Sequence, residues 1–232
     1  MSKLDGRNKI SNEERIGRHQ RREIPFSPPD VGELEIEEVS KAILSGWITT
    51  GPRTKELEKR LASYINVERC VCLNSATAAE ELNLRILGIG EGDEVIVPAY
   101  TYTASASAAI HVGAKVVFID SQPDSVEMDY DAMEAAINER TKAIVPVDIG
   151  GIVCDYERIF EAVERKKSLF KAGGNTDLGS RIQNAIGRVA VVADCAHALG
   201  SRRHGKMAGS IADFSSFSFH AVNVFQPVRD AA

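Results

Sequence analysis

The sequence predicts an α/β domain built around a mostly parallel sheet, on three observations. Short β-rich runs recur at 69–73, 94–98, 116–119, 143–147, 189–193 and 214–219. Segments with apolar residues at three- and four-residue spacing separate most of them, and strand–helix alternation of this kind packs helices on both faces of a parallel sheet. Third, 232 residues with 44% apolar and 26% charged side chains is ordinary globular usage, enough for one large domain.

Residues 1–24 hold seven Lys or Arg and four Asp or Glu with few apolar side chains, so they are expected to form a flexible, solvated arm. Residues 25–222 form the expected folded domain, entered through Pro25, Pro28 and Pro29. Asp30 and Glu33 have capping-box spacing and predict a helix from near Val31, with Leu34, Val39, Ile43 and Leu44 as its stripe before Gly46. After the loop 46–52, the stripe Leu57, Leu61, Tyr64 and Ile65 predicts a second helix ending near Asn66. Further helices are expected at 76–87, 103–111, 130–137 and 156–167. Residues 171–187 break the rhythm, because Gly173, Gly174, Asn175, Gly179 and Gly187 favour turns, and read as an inserted loop.

A net charge of −5 removes the attraction that sequence-independent nucleic-acid binding uses, so no nucleic-acid partner is expected. No apolar run approaches the roughly 18 residues of a membrane crossing. Cys70, Cys72, Cys154 and Cys195 lack zinc-module spacing, and the start of the chain does not resemble a signal peptide. They read as reduced thiols of a cytoplasmic protein. Cys195 and His197 have no second pair at ligand spacing, so no metal site is expected.

In an open parallel sheet, ligands bind beyond the carboxyl ends of the strands. Asn74-Ser75-Ala76-Thr77 follows the first run and opens a helix whose uncovered N–H groups suit a phosphate, although Ser75 is equally an ordinary N-cap. Tyr100 and Tyr102 stand at a strand-to-helix corner, either to stack on a flat ring or to pack in the core. Asp194 ends an apolar strand, where a protonated heterocyclic nitrogen or a backbone turn would satisfy it. Residues 213–220 alternate aromatic with hydroxyl side chains, hydroxyls toward a phosphate and aromatics toward the core. No G-x-G-x-x-G follows the first run, which disfavours a generic nucleotide-binding protein.

Five motifs occur in order: Gly-Trp-Ile-Thr-Thr-Gly-Pro at 46–52, Asn-Ser-Ala-Thr at 74–77, Leu-Gly-Ile-Gly-Glu-Gly-Asp-Glu-Val-Ile-Val-Pro at 87–98, Thr-Lys-Ala-Ile-Val-Pro-Val at 141–147, and Ala-Asp-Cys-Ala-His-Ala-Leu-Gly at 193–200. Together they resemble the DegT/DnrJ/EryC1/StrS family of pyridoxal-phosphate-dependent sugar aminotransferases, over residues 24 to 222. The resemblance implies the three-layer large domain of the type I aminotransferase fold, with the smaller C-terminal domain absent. It also implies pyridoxal 5'-phosphate as cofactor, a nucleotide-linked keto sugar and an amino donor such as glutamate as substrates, and a homodimer.

On that resemblance, Ala76 and Thr77 hold the cofactor phosphate with Ser218 adding a hydroxyl, Tyr102 stacks on the ring, and Asp194 pairs with the ring nitrogen. His197 lies beside the cofactor, and Trp47, Thr49 and Thr50 meet the sugar nucleotide. The family's Ser-Phe-His motif leads, two residues on, to the lysine that bonds the cofactor covalently; here Ser218-Phe219-His220-Ala221-Val222 is followed by Asn223. An amide nitrogen is neither nucleophilic nor basic, so no catalytic residue stands there and the cofactor is expected to bind non-covalently at best. Residues 223–232 read as a tail outside the family pattern. The expected function is an aminotransferase by descent, inactive as this chain; the alternative is a non-catalytic regulatory module that binds the cofactor or a sugar nucleotide.

Overall fold

A computed structural model describes residues 31–220. The arm 1–24, the three prolines, Asp30, and Asn223 with the tail 223–232 lie outside the described residues.

Helix α1 (Glu33–Leu44) is capped two residues later than the Asp30–Glu33 spacing indicates: the Gly32 N–H donates to the Glu35 carboxylate at 2.7 Å. Helix α2 (Pro52–Ile65) opens on a proline, whose missing N–H costs nothing there, and ends at Asn66 in the left-handed conformation. The expected strand at 69–73 does not form. Its backbone bonds to α2 instead, Cys72 N–H donating to Glu58 Oε1 at 2.9 Å, while Val71 and Leu73 stay exposed.

The rest follows the expected alternation: α3 (Ala76–Ile86), β1 (Glu94–Pro98), α4 (Thr103–His111), β2 (Lys115–Ile119), α5 (Tyr130–Ala136), β3 (Thr141–Ile144), α6 (Tyr156–Arg165), β4 (Ala190–Asp194) and β7 (Phe214–Ser216), with one unexpected helix, α7 (Asp177–Ile186), between α6 and β4. A small hairpin of β5 (Arg202–Arg203) and β6 (Lys206–Met207) stands before β7. The five main strands are parallel in the order β2-β1-β3-β4-β7.

Helix α7 corrects the reading of 171–187 as a loop. Thr176 caps it by accepting the Gly179 N–H at 2.9 Å, and Gly187 ends it at φ +67°. Two of the glycines mark close approach rather than a turn. A Cβ on Gly179 would sit 2.5 Å from Gly88 Cα, and one on Gly174 would sit 2.9 Å from the Gly179 carbonyl carbon. The first turn of α7 thus lies directly on the chain leaving α3, where Gln183 donates to the Leu87 carbonyl at 2.8 Å.

Strand side chains alternate between two apolar clusters, one on each face of the sheet. Ile96, Ile144, Val191 and Ala193 pack with Met133 of α5 and with Ile159 and Val163 of α6. Val95, Val97, Ala190 and Val192 pack with Leu84 of α3, Ala108 and Ala109 of α4, and Ile182 of α7. By this parity Asp194 faces α3 and α4 at the carboxyl end of β4. The same placement makes three layers, as the fold class predicted.

Candidate cofactor site at the strand ends

Asp194 is 4% exposed. Its Oδ2 accepts from Ser105 Oγ of α4 at 2.7 Å and its Oδ1 from the Ala196 N–H at 3.0 Å. Both donors stabilise the charged form of the carboxylate. Thr101 Oγ1 lies 2.8 Å from Ser105 Oγ and steadies that serine. Asp194 is therefore more than the cap of a backbone turn: one oxygen binds the turn, and the other is reached by a helix that the fold brings across the sheet.

Glu80, on α3, is 2% exposed. Its Oε1 accepts from Ser216 Oγ of β7 at 3.2 Å, Oε2 meets no donor among the described residues, and Ser216 pairs in register with Asp194, which brings the two carboxyls into interaction. Burial first, and the charge of Asp194 second, push the Glu80 carboxyl up to about 9. Among the described residues no Lys or Arg forms an ion pair with either acid.

Tyr102 occupies the N-cap of α4, its carbonyl accepts the Ser105 N–H at 3.3 Å, and its side chain is 75% exposed. Ala76 and Thr77 form the first turn of α3, one turn before Glu80 on the same helix. Ser75 caps that turn by accepting the Ala78 N–H at 3.1 Å, so the N-cap reading of Ser75 holds, and it is compatible with a phosphate at Ala76 and Thr77. Ser218 is buried, and its Oγ accepts the His220 N–H at 3.2 Å. His197 is exposed and its Nδ1 accepts the Gly150 N–H at 3.3 Å, an acceptor role that requires this nitrogen to be unprotonated.

The expected segregation of 213–220 into a hydroxyl face and an aromatic face is not what forms. Phe214 packs in the α3–α4 cluster on the same face as Ser216, whereas Ser215 bonds the Gly209 carbonyl and Phe217 packs in the other cluster. The doubled serine at 215–216 shifts the alternation by one position.

Trp47, Thr49 and Thr50 are held by their own loop. Trp47 Nε1 donates to the Thr50 carbonyl at 3.1 Å, and the indole lies against Gly51, where a Cβ would come within 2.1 Å of Nε1. Trp47 bonds only Ser45 and Thr50 among the described residues, so the structure brings together Ser105, Asp194, Glu80 and Ser216 and leaves the tryptophan loop as a separate exposed feature.

A second buried acid was not read from the sequence. Asp148 donates its N–H to the Asp194 carbonyl at 2.9 Å, and its carboxylate accepts from the Cys154 N–H at 2.8 Å, Tyr156 OH at 3.1 Å and Cys195 Sγ at 3.3 Å. Burial pushes it up to about 6 and raises the Cys195 thiol above its ordinary range. Cys195 is therefore an inert core thiol that supports the strand end. A signal for Glu80 was present: it lies four residues before Leu84 on the apolar side of its helix, where a charged residue is rarely buried without a role.

The site fits a ring that carries a positive charge on nitrogen. Two buried acids lie together at the strand ends, no cation is bonded to them among the described residues, the exposed Tyr102 caps the helix that carries Ser105, and the N-terminal turn of small residues on α3 lies one turn before Glu80.

The DegT/DnrJ/EryC1/StrS aminotransferase family matches residues 29–170 and 180–227. The spore coat polysaccharide biosynthesis protein SpsC of Bacillus subtilis is 38% identical over 198 residues, 85% of this chain and 46% of that protein. The UDP-4-amino-4-deoxy-L-arabinose–oxoglutarate aminotransferase of Shewanella sediminis is 36% identical over 86% of this chain and 46% of its own length. The Spr1654 protein of Streptococcus pneumoniae, assigned as a sugar aminotransferase and solved in a PLP-form, superposes with a TM-score of 0.82 at 59% identity, covering 86% of this chain and 49% of that one. The chain spans about half the length of the relatives it matches. The fold is the large-domain α/β fold of these enzymes, and the chain belongs to the DegT/DnrJ/EryC1/StrS aminotransferase family.

Proposed function

We propose that this chain is the cofactor-binding part of a pyridoxal-phosphate-dependent aminotransferase acting on a nucleotide-linked keto sugar, with glutamate as amino donor. The observation that supports it most is Asp194, a buried carboxylate held by Ser105 and Ala196 at a strand end with no bonded cation among the described residues. Bound pyridoxal phosphate supplies a ring that withdraws electrons from the donor's α-carbon. Asp194 would keep the ring nitrogen protonated, Ala76 and Thr77 would bind the phosphate through their N–H groups with Ser218 beside them, and Tyr102 would stack on the ring. His197 would stand next to the cofactor, and Trp47, Thr49 and Thr50 would meet the sugar nucleotide.

At position 223 an asparagine replaces the expected lysine, so the cofactor is held without a covalent bond and the transfer cycle does not turn over in this chain. The alternative, a regulatory module that binds cofactor or sugar nucleotide without catalysis, uses the same contacts. Leu34, Ile36, Val39, Ile43 and Leu44 leave α1 with an exposed apolar surface, which supports a homodimer in which a second copy covers that helix. Four free cysteines suit a cytoplasmic setting.

Titration of the 232-residue chain with pyridoxal phosphate, followed by borohydride treatment and mass analysis, tests the reading. Saturable binding with no added mass on any residue supports it. Absence of binding, or a stoichiometric adduct on a lysine, overturns it.

A further inference from the structure

The mechanism outlined above uses Asp194 but not the acid packed against it. Glu80 reaches toward the aspartate from α3, and two strands meet its carboxyl: β4 contributes Asp194 and β7 contributes Ser216, while Ser105 of α4 bonds Asp194. Two carboxyls in contact inside a protein do not both ionise, so one of them carries a proton. The surrounding donors decide which. Asp194 accepts from a hydroxyl at 2.7 Å and a backbone N–H at 3.0 Å, both of which favour its charged form. Among the described residues Glu80 accepts only from Ser216, at 3.2 Å, and its other oxygen meets no donor. An oxygen that meets no donor and lies beside a carboxylate is satisfied when it carries a proton and donates it.

We propose that Glu80 is a positioning residue for the cofactor's ring partner: held as the neutral acid, it donates a hydrogen bond to Asp194 and draws negative charge away from the face that the ring nitrogen meets. The strong upward displacement of Glu80 by burial agrees with this assignment. The pair then presents a single negative charge to a singly charged pyridinium. The donated bond shares the charge of Asp194 with Glu80, so the contact with the ring N–H is moderated rather than maximal. This inference rests on the reading of Asp194 as the partner of the ring nitrogen.

Three measurements on the full chain test it. The first is infrared spectroscopy without cofactor at neutral pH, where the wild-type chain should show the carbonyl stretch of an un-ionised carboxyl that is missing in Glu80→Gln. Second, affinity for pyridoxal phosphate is compared with affinity for its analogue that has carbon in place of the ring nitrogen. Glu80→Leu, which removes the donor, should bind pyridoxal phosphate about threefold or more tightly than wild type and bind the analogue equally. Glu80→Gln, whose amide still donates, should match wild type with both. A merely structural role would move both ligands together.

An infrared difference showing Glu80 ionised overturns the inference without requiring any variant to bind cofactor. The third measurement, pyridoxal phosphate affinity of Asp194→Ala, separates the two readings. If it is weakened while Glu80→Leu equals wild type for both ligands, the role of Glu80 is overturned and Asp194 stands. If it is unchanged, the reading of Asp194 fails and this inference with it.

Discussion

Ser105 on α4 and Asp194 at the end of β4, 89 residues apart in sequence, are joined by a 2.7 Å hydrogen bond in which Ser105 Oγ donates to Oδ2. The bond ties the helix that follows β1 to the end of a strand two places away in the sheet. It sets the direction of the one carboxylate on which the cofactor reading depends.

Ser105→Ala should therefore cost stability even before any ligand is added. Asp194 would keep the Ala196 N–H but lose its hydroxyl donor while remaining buried. A hydrogen bond to a buried charged group is worth about 1.5 to 3 kcal/mol, and urea unfolding of the variant should show a loss in that range. A change below about 0.5 kcal/mol would mean that the bond contributes no net stability.

Gly179→Ala should destabilise the domain by about 1 to 3 kcal/mol, because the added methyl meets the Gly88 backbone rather than a side chain that can swing away. Gly173→Ala is the control, since a Cβ there meets nothing within 4 Å. Equal unfolding midpoints for the two variants would contradict the close packing of α7 on the end of α3.

These glycines show where sequence reading reaches its limit. Gly173, Gly174 and Gly179 look alike in sequence, yet one faces open space and two are pressed against backbone, a distinction that depends on which segment arrives from elsewhere in the chain. The strands read at 94–98 and 189–193 and the helix at 103–111 were legible because their apolar spacing is local. The run 69–73 is β-rich by composition, but pairing requires a neighbouring strand, and its backbone bonds to Glu58 instead. Within the site, Asp194 was visible as a charge ending an apolar strand. Ser105 was hidden among six other small residues of α4, and its partner lies 89 positions away.

Asp148 gives the stability a pH dependence of unusual sign for a carboxylate. Burial raises it from its ordinary 3.8 to about 6 in the folded protein, so the native state holds the proton more tightly than the unfolded chain does. Its contribution is greatest below about pH 4 and is lost as pH rises through about 6. Unfolding free energies of wild type and Asp148→Asn, measured across that interval, should diverge by on the order of 3 kcal/mol, the wild type losing relative stability as pH rises. A difference that stays constant with pH would show that Asp148 titrates normally.

Gly51→Ala should displace the indole of Trp47, because a Cβ there falls within 2.1 Å of Nε1 and breaks the 3.1 Å bond to the Thr50 carbonyl. Trp47 is the single tryptophan of the chain, so its fluorescence reports the change without interference. The emission should move to the red, and quenching by a nucleotide-linked sugar should weaken. An unchanged spectrum would place the indole away from Gly51.

The most direct measurement is the dissociation constant for pyridoxal phosphate of the wild-type chain against Asp194→Ala. A buried carboxylate paired with a protonated ring nitrogen is a charge-assisted contact worth roughly 1.5 to 3 kcal/mol, so removing it should weaken binding by about tenfold or more. Equal dissociation constants for the two proteins would contradict the account and make Asp194 a structural end to its strand.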